Sequence, residues 1–250
     1  MTSKVSHSII KGIATIRFFD EKSNSLPGST LKALAETITL LAKDDVVKII
    51  VLKSDGDRAF CAGASFDELV AIDTPENGKK FFMGFANVIN AMRLCPKFII
   101  GRIQGKAVGG GVGLASSVDY CLATKYASVK LSELAIGIGP FVVGPAVQRK
   151  LGLSGMSELA INASEWRDAN WAKEKGLYQE VYDNIDDMDI ALSELSERLS
   201  QYNPEAMAEL KKNFWEGCEN WDHLLPERAA MSGKLVLSEF TRNAIAKFKQ

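Results

Sequence analysis

The chain is short of the residues most often recruited for chemistry. It has two histidines, His7 and His223, and neither is placed for a Ser–His or metal constellation, so each is read as a surface or core histidine. Its four cysteines, Cys61, Cys95, Cys121 and Cys218, show no C-x-x-C spacing, so neither a zinc site nor a disulfide framework is indicated. No charge excess is present either: 30 basic against 31 acidic residues give a formal net charge of −1. Nucleic-acid and anionic-membrane binders neutralise phosphates with clustered Lys and Arg, and here Lys79–Lys80 and Lys211–Lys212 are isolated pairs. Long apolar runs are missing as well. The longest uncharged stretch, 134–148, contains three glycines and two prolines and is too short to span a bilayer. No signal-peptide block precedes it, because Ile9-Ile10 runs directly into Lys11. The expectation is a cytoplasmic protein with no nucleic-acid and no membrane partner.

What is present is an ordinary globular composition, 46% hydrophobic and 24% charged over 250 residues, enough for one large core with an appendage. Residues 5–19 alternate on either side of Lys11-Gly12 and predict a hairpin. Leu31, Leu34, Ala35, Ile38, Leu41 and Ala42 recur at helical spacing, and the β-branched run 46–52 that follows reads as a buried strand. A second amphipathic helix over 77–95 stops at Pro96, ahead of a strand at 98–103. A glycine-rich turn then leads into a helix near 115, with short strands at 120–124 and 128–131. The repeating unit is strand, strand, helix. Farther on, Asp168 caps a helix that Gly176 closes, 178–182 is strand-like, and Asn203-Pro204 starts another helix. The expected division is an α/β core over 1–184 and a helical C-terminal region over 185–250.

Three glycine-bearing loops are the candidates for function: 60–65, 105–113 and 132–140. Nucleotide motifs fail in them. The second contains no G-x-G-x-x-G, and Pro145-Ala146 stands where a phosphate loop beginning at Gly139 would need Lys and Ser or Thr. Three consecutive glycines at a helix start have two readings. One is tight helix–strand packing; the other is close approach of unpaired N–H groups to a developing negative charge, an oxyanion hole. Glu133, which precedes the uncharged stretch, also has two: the solvated end of an element, or an enclosed acid/base with a raised pKa. Asp119 reads as a cap or buried ion pair, and Asp67 with Glu68 as the start of a short solvated helix.

Taken together, Asn24-Ser-Leu26, Phe60-Cys-Ala-Gly-Ala64, Gln104-Gly-Lys-Ala-Val-Gly-Gly-Gly111, Ser132-Glu133, Gln148-Arg149 and Asp168 through Leu177 resemble, in order and spacing, the crotonase superfamily of enoyl-CoA hydratases and isomerases. The resemblance implies a spiral of repeated β-β-α units with a helical C-terminal trimerisation region, in a homotrimer or dimer of trimers. It implies an acyl-CoA substrate whose enolate is held by the backbone N–H groups of Ala64 and Gly110. It implies contacts of Ala62 and Gly63 with the CoA moiety, and of Lys247 or Lys249 with a CoA phosphate. No metal and no cofactor beyond the CoA of the substrate is implied.

Two departures bear on the reaction. Typical hydratases carry a glutamate where this chain has Gly113, so Glu133 is the single remaining acid/base. Phe141 follows Pro140 where glycine is common, and its ring is expected to narrow the acyl pocket beside Gly113. The pattern is nearest the bacterial methylglutaconyl-CoA hydratase-like branch. Hydration of a 2-enoyl-CoA is therefore the leading reading, with a single-glutamate Δ3,Δ2-enoyl-CoA isomerase and a non-catalytic acyl-CoA binder as alternatives.

Overall fold

The computed structural model describes residues 4–247. The expected hairpin opens the chain: β1 (Lys4–Ile10) pairs antiparallel with β2 (Ile13–Phe19) through a turn in which Lys11 and Gly12 both take positive φ. The short β3 (Ser25–Leu26) follows, and then α1 (Gly28–Ala42), which buries Leu31, Leu34, Ile38 and Leu41 along one stripe.

Three turns of one spiral come next. In the first, β4 (Ile49–Ser54) and β5 (Ala59–Cys61) lead through β6 (Gly63–Ala64) and α2 (Phe66–Val70) to α3 (Pro75–Leu94). The second is β7 (Ile99–Ile103), β8 (Lys106–Val108) and α4 (Gly110–Ser117). The third is β9 (Tyr120–Thr124), β10 (Val129–Lys130), a 3-10 turn at Leu134–Ile136 and α5 (Gly144–Ile161). Then α6 (Ala169–Glu174) and β11 (Glu180–Tyr182) complete the core. The first strand of each turn enters a six-stranded sheet of order β1-β2-β4-β7-β9-β11, and the second enters a three-stranded sheet of order β10-β8-β5. From β2 to β11 every pairing in the larger sheet is parallel. Parallel strands with both faces covered read as continuous apolar runs, which is why β4 and β7 show no alternation.

Helices α7 (Ile185–Ser200), α8 (Pro204–Phe214), α9 (Trp221–Leu235) and α10 (Glu239–Lys247) form the C-terminal region. They share the core instead of building a second one. Trp215, Trp221, Leu225 and Ala229 lie in the same buried cluster as Leu52 and Ile103, while Met188, Leu192 and Met207 pack on Ile49, Val51 and Ile100. The approach of α9 to α3 is close enough to require glycine on both: a Cβ on Gly78 would come within 2.6 Å of the Gly233 Cα. Among the described residues no helix is long and apolar enough to cross a membrane.

Candidate active site

The second sheet brings the glycine loops together. Ser65 N–H donates to Leu26 O at 3.0 Å, and because N–H directions alternate along an extended strand, the preceding Ala64 amide faces away from β3. Gly63 makes the turn possible with φ +94, and a Cβ there would sit 3.0 Å from Val108 O and 3.6 Å from Gly110 N. The backbone of the 60–65 loop therefore lies directly against the start of α4. As the first residue of that helix, Gly110 has an N–H with no intrahelical acceptor.

Each glycine of the triplet answers to a different neighbour. Gly109 has φ +51 and ψ −113, a conformation that a side chain resists. A Cβ on it would come within 2.8 Å of Glu133 Oε1. A Cβ on Gly110 would run into the Phe85 ring, and one on Gly111 into the Cys61 carbonyl. The triplet is packed tightly on all sides, and the packing sets Gly109, the residue before the first N–H of α4, against the carboxyl of Glu133.

Ala62, Gly63, Ala64, Gly110, Glu133 and Phe141 all line one cavity of roughly 170 Å3. Gly113 does not. A Cβ on Gly113 would lie 2.5 Å from Val143 Cγ1, so the Val143 side chain stands between that position and the cavity it lines. The expected placement of Gly113 in the acyl pocket is corrected accordingly. Lys247 is exposed at the end of α10 and is not among the lining residues, and Lys249 falls outside the described residues. The two histidines are exposed, on β1 and α9.

Glu133 opens the 3-10 turn, whose exit is fixed by Gly137 at φ +84. A Cβ on Gly137 would reach within 2.5 Å of the Phe240 ring and 2.7 Å of Thr241 Oγ1, so α10 backs the loop that carries the acid. Glu133 Oε2 is buried without a hydrogen-bond partner. Burial raises its pKa from 4.5 to about 7, offset in part by its own backbone N–H. Desolvation favours the neutral acid, and no cation among the described ion pairs opposes it. Near neutrality such a group both accepts and donates a proton.

The rest of the wall was not anticipated from the sequence. Phe66 and Leu69 come from α2, Phe81, Phe82 and Phe85 from α3, and Ser232 from α9. The Phe81-Phe82 pair and Phe85, four residues on from Phe81, were a usable signal, one helical face too aromatic for a solvated surface. Nothing local marks Ser232, which arrives because Gly233 lets α9 press on α3. No group of three or more metal-ligating side chains occurs among the described residues.

This architecture and its sequence have close counterparts. A family model described as enoyl-CoA hydratase/isomerase matches residues 8–244. The short-chain-enoyl-CoA hydratase of Clostridium acetobutylicum is 27% identical over 226 residues, covering 90% of this chain and 86% of that protein. The mitochondrial methylglutaconyl-CoA hydratase of Mus musculus is 30% identical over 200 residues, 78% of this chain but 63% of its own length. The crystal structure of an enoyl-CoA hydratase from Bacillus halodurans superposes with a TM-score of 0.90 at 18% identity, covering 97% of this chain and 99% of that one; at that identity the likeness speaks for the fold.

Proposed function

Because the chain belongs to the enoyl-CoA hydratase/isomerase family, we propose that it adds water across the 2,3 double bond of an enoyl-CoA thioester, with Glu133 as its single acid/base. The carrying observation is the contact between Gly109 and the Glu133 carboxyl, which sets a buried acid against the residue before the first N–H of α4. The reaction follows from that arrangement. The thioester oxygen accepts hydrogen bonds from the Ala64 and Gly110 amides, which strengthen as the oxygen gains charge. Glu133, as carboxylate, takes a proton from a water molecule while the water oxygen bonds to C3. The π electrons move toward the thioester and form an enolate. The enolate then collapses, and C2 takes the proton that Glu133 received. One group serves both transfers, and its pKa of about 7 suits both directions.

Ala62 and Gly63, which precede Ala64 in the same loop and line the cavity, are assigned to the CoA moiety, and the reading calls for no cofactor beyond that CoA. A cytoplasmic homotrimer or dimer of trimers is the assembly that goes with it. Exposed Leu134 and Ile161 line one surface groove, apolar area of the kind a neighbouring subunit covers. The test is to incubate the purified chain with 2-enoyl-CoA and 3-enoyl-CoA substrates and identify the products. A 3-hydroxyacyl-CoA from the former is expected. Double-bond migration alone, or binding without turnover, would overturn the assignment.

A further inference from the structure

The cavity shares one wall with a larger space. Gly139, Pro140 and Phe141 line the cavity on one side and, on the other, a groove of roughly 680 Å3 that Gly144, Gln148, Met156 and Trp221 help to form. The Phe141 ring lies beside Gly139, where a Cβ would come within 2.8 Å of the ring. Gly139 holds φ +84, so its own conformation disfavours any side chain that would displace the ring. Phe141 is therefore held in the shared wall by the residue two positions before it.

Building on the reading of this cavity as a hydratase centre, we propose that Phe141 determines the substrate class, closing the site around a short, uncharged acyl group and shutting off the groove behind it. Size gives the first argument. An apolar protein cavity of about 150 Å3 holds one benzene, so roughly 170 Å3 matches an acyl group of about four to six carbons. Charge gives the second. The cavity is lined by Phe66, Phe82, Ile138 and Val143 among others, and contains no Lys, Arg or His. A second carboxylate on the acyl group would be desolvated without a cation, next to Glu133, which already lacks one. The available cations, Arg149 and Arg228, line the groove and not the cavity. Arg149 is held there with its guanidinium 3.7 Å from the Trp215 ring centroid and an Nη1 donated to Phe214 O. Between a charged acyl terminus in the cavity and these arginines stands the wall of Gly139, Pro140 and Phe141, in which Phe141 has the largest side chain.

The experiment compares kcat/KM of the intact protein, Phe141→Ala and Phe141→Leu for trans-2-enoyl-CoA substrates of increasing chain length, and for glutaconyl-CoA, whose acyl group ends in a carboxylate. The unaltered chain is expected to favour crotonyl-CoA and hexenoyl-CoA over decenoyl-CoA by at least about 10-fold, and crotonyl-CoA over glutaconyl-CoA by about 100-fold. Phe141→Ala should raise the decenoyl to crotonyl ratio by about 10-fold or more, and Phe141→Leu should move it the same way by less. A ratio within one preparation does not depend on the fraction folded, so Phe141→Leu keeps the test informative if the alanine variant is unstable. Ratios unmoved in both variants would overturn the assignment of Phe141, as would equal rates on glutaconyl-CoA and crotonyl-CoA. Failure of the unaltered chain to hydrate any of these esters removes the hydratase reading itself, a result distinct from crotonyl-CoA turnover with an unmoved ratio.

Discussion

Two buried carboxyl groups, Asp119 just before β9 and Glu133 just after β10, flank the strands of the third turn and are treated in opposite ways. Asp119 Oδ2 accepts from Ile99 N at 2.7 Å and pairs with Lys211 Nζ at 2.8 Å. The same ammonium donates to Lys97 O at 2.8 Å, so α8 is tied to the central sheet through a desolvated ion pair. Only Asp119 Oδ1 is left over. Glu133 has the burial without the cation, and its carboxyl rests against a glycine. A buried acid with a cation and a backbone donor ties elements together and serves structure; one that is desolvated without a cation is the kind of group that proton transfer can use.

The largest effect that would break this contrast is on turnover. Glu133→Gln keeps the shape and removes the titrating group, and kcat on a 2-enoyl-CoA should fall by about 10²- to 10⁴-fold, while binding of a saturated acyl-CoA measured by calorimetry is largely retained. Wild-type turnover in that variant would return Glu133 to the rank of a packing residue.

Next in size is the stability of the paired acid. Lys211→Met takes the paired ammonium away from buried Asp119, which should cost about 3–5 kcal/mol in denaturant unfolding. Adding Asp119→Asn should restore part of the loss, because the unpaired carboxyl is then gone. Activity per folded molecule should stay near the original in both. A purely catalytic defect with unchanged unfolding would reverse the roles given to the two acids.

A third measurement sharpens the comparison through pH. The folded-state pKa of Glu133 is raised from 4.5 to about 7, so between those values the folded chain binds more protons than the unfolded one. Stability therefore declines as pH rises from about 4.5 to 7 and stays lowered above that. Glu133→Gln removes the decline: its melting free energy should match the parent near pH 4.5 and exceed it by about 1–3 kcal/mol at pH 8. For the parent, kcat/KM should fall as pH drops below about 7, where the carboxylate needed to accept the water proton is lost. A flat stability difference across this range would mean that Glu133 is not desolvated.

How much of this was legible depends on how far apart in sequence the interacting groups lie. The hairpin, the α1 stripe and the caps at Asp168 and Asn203 follow from neighbours within a few residues, and all are present. Helix α5 was hidden. Its start lies in the uncharged stretch, and Gly152 at φ +71 kinks it, so no continuous periodicity extends through it. At the site, the sequence pattern brought out Ala62, Gly63, Ala64, Gly110, Glu133 and Phe141, which all line the cavity. It misplaced Gly113, because the intrusion of Val143 is a contact across 30 positions that no local pattern encodes. It also missed Gly109, whose φ and contact with Glu133 become visible only once the third loop folds onto the second. From 185 onward the described chain is helical, yet α9 delivers Ser232 to the cavity and α10 braces the Glu133 loop through Gly137. The C-terminal helices are thus part of the site.

The smallest expected effect concerns a third acid, which completes the contrast. Asp168 is exposed and accepts from Trp171 N at 2.8 Å as the N-cap of α6. It serves structure like Asp119, but water remains available to replace it. Asp168→Ala should therefore cost only about 1 kcal/mol in unfolding, with turnover unchanged. The same removal of a carboxylate is thus expected to abolish chemistry at the unpartnered acid, to damage the fold at the buried pair and to fray one helix at the surface. A loss at Asp168 as large as that for Lys211→Met would show that burial and pairing do not set the scale.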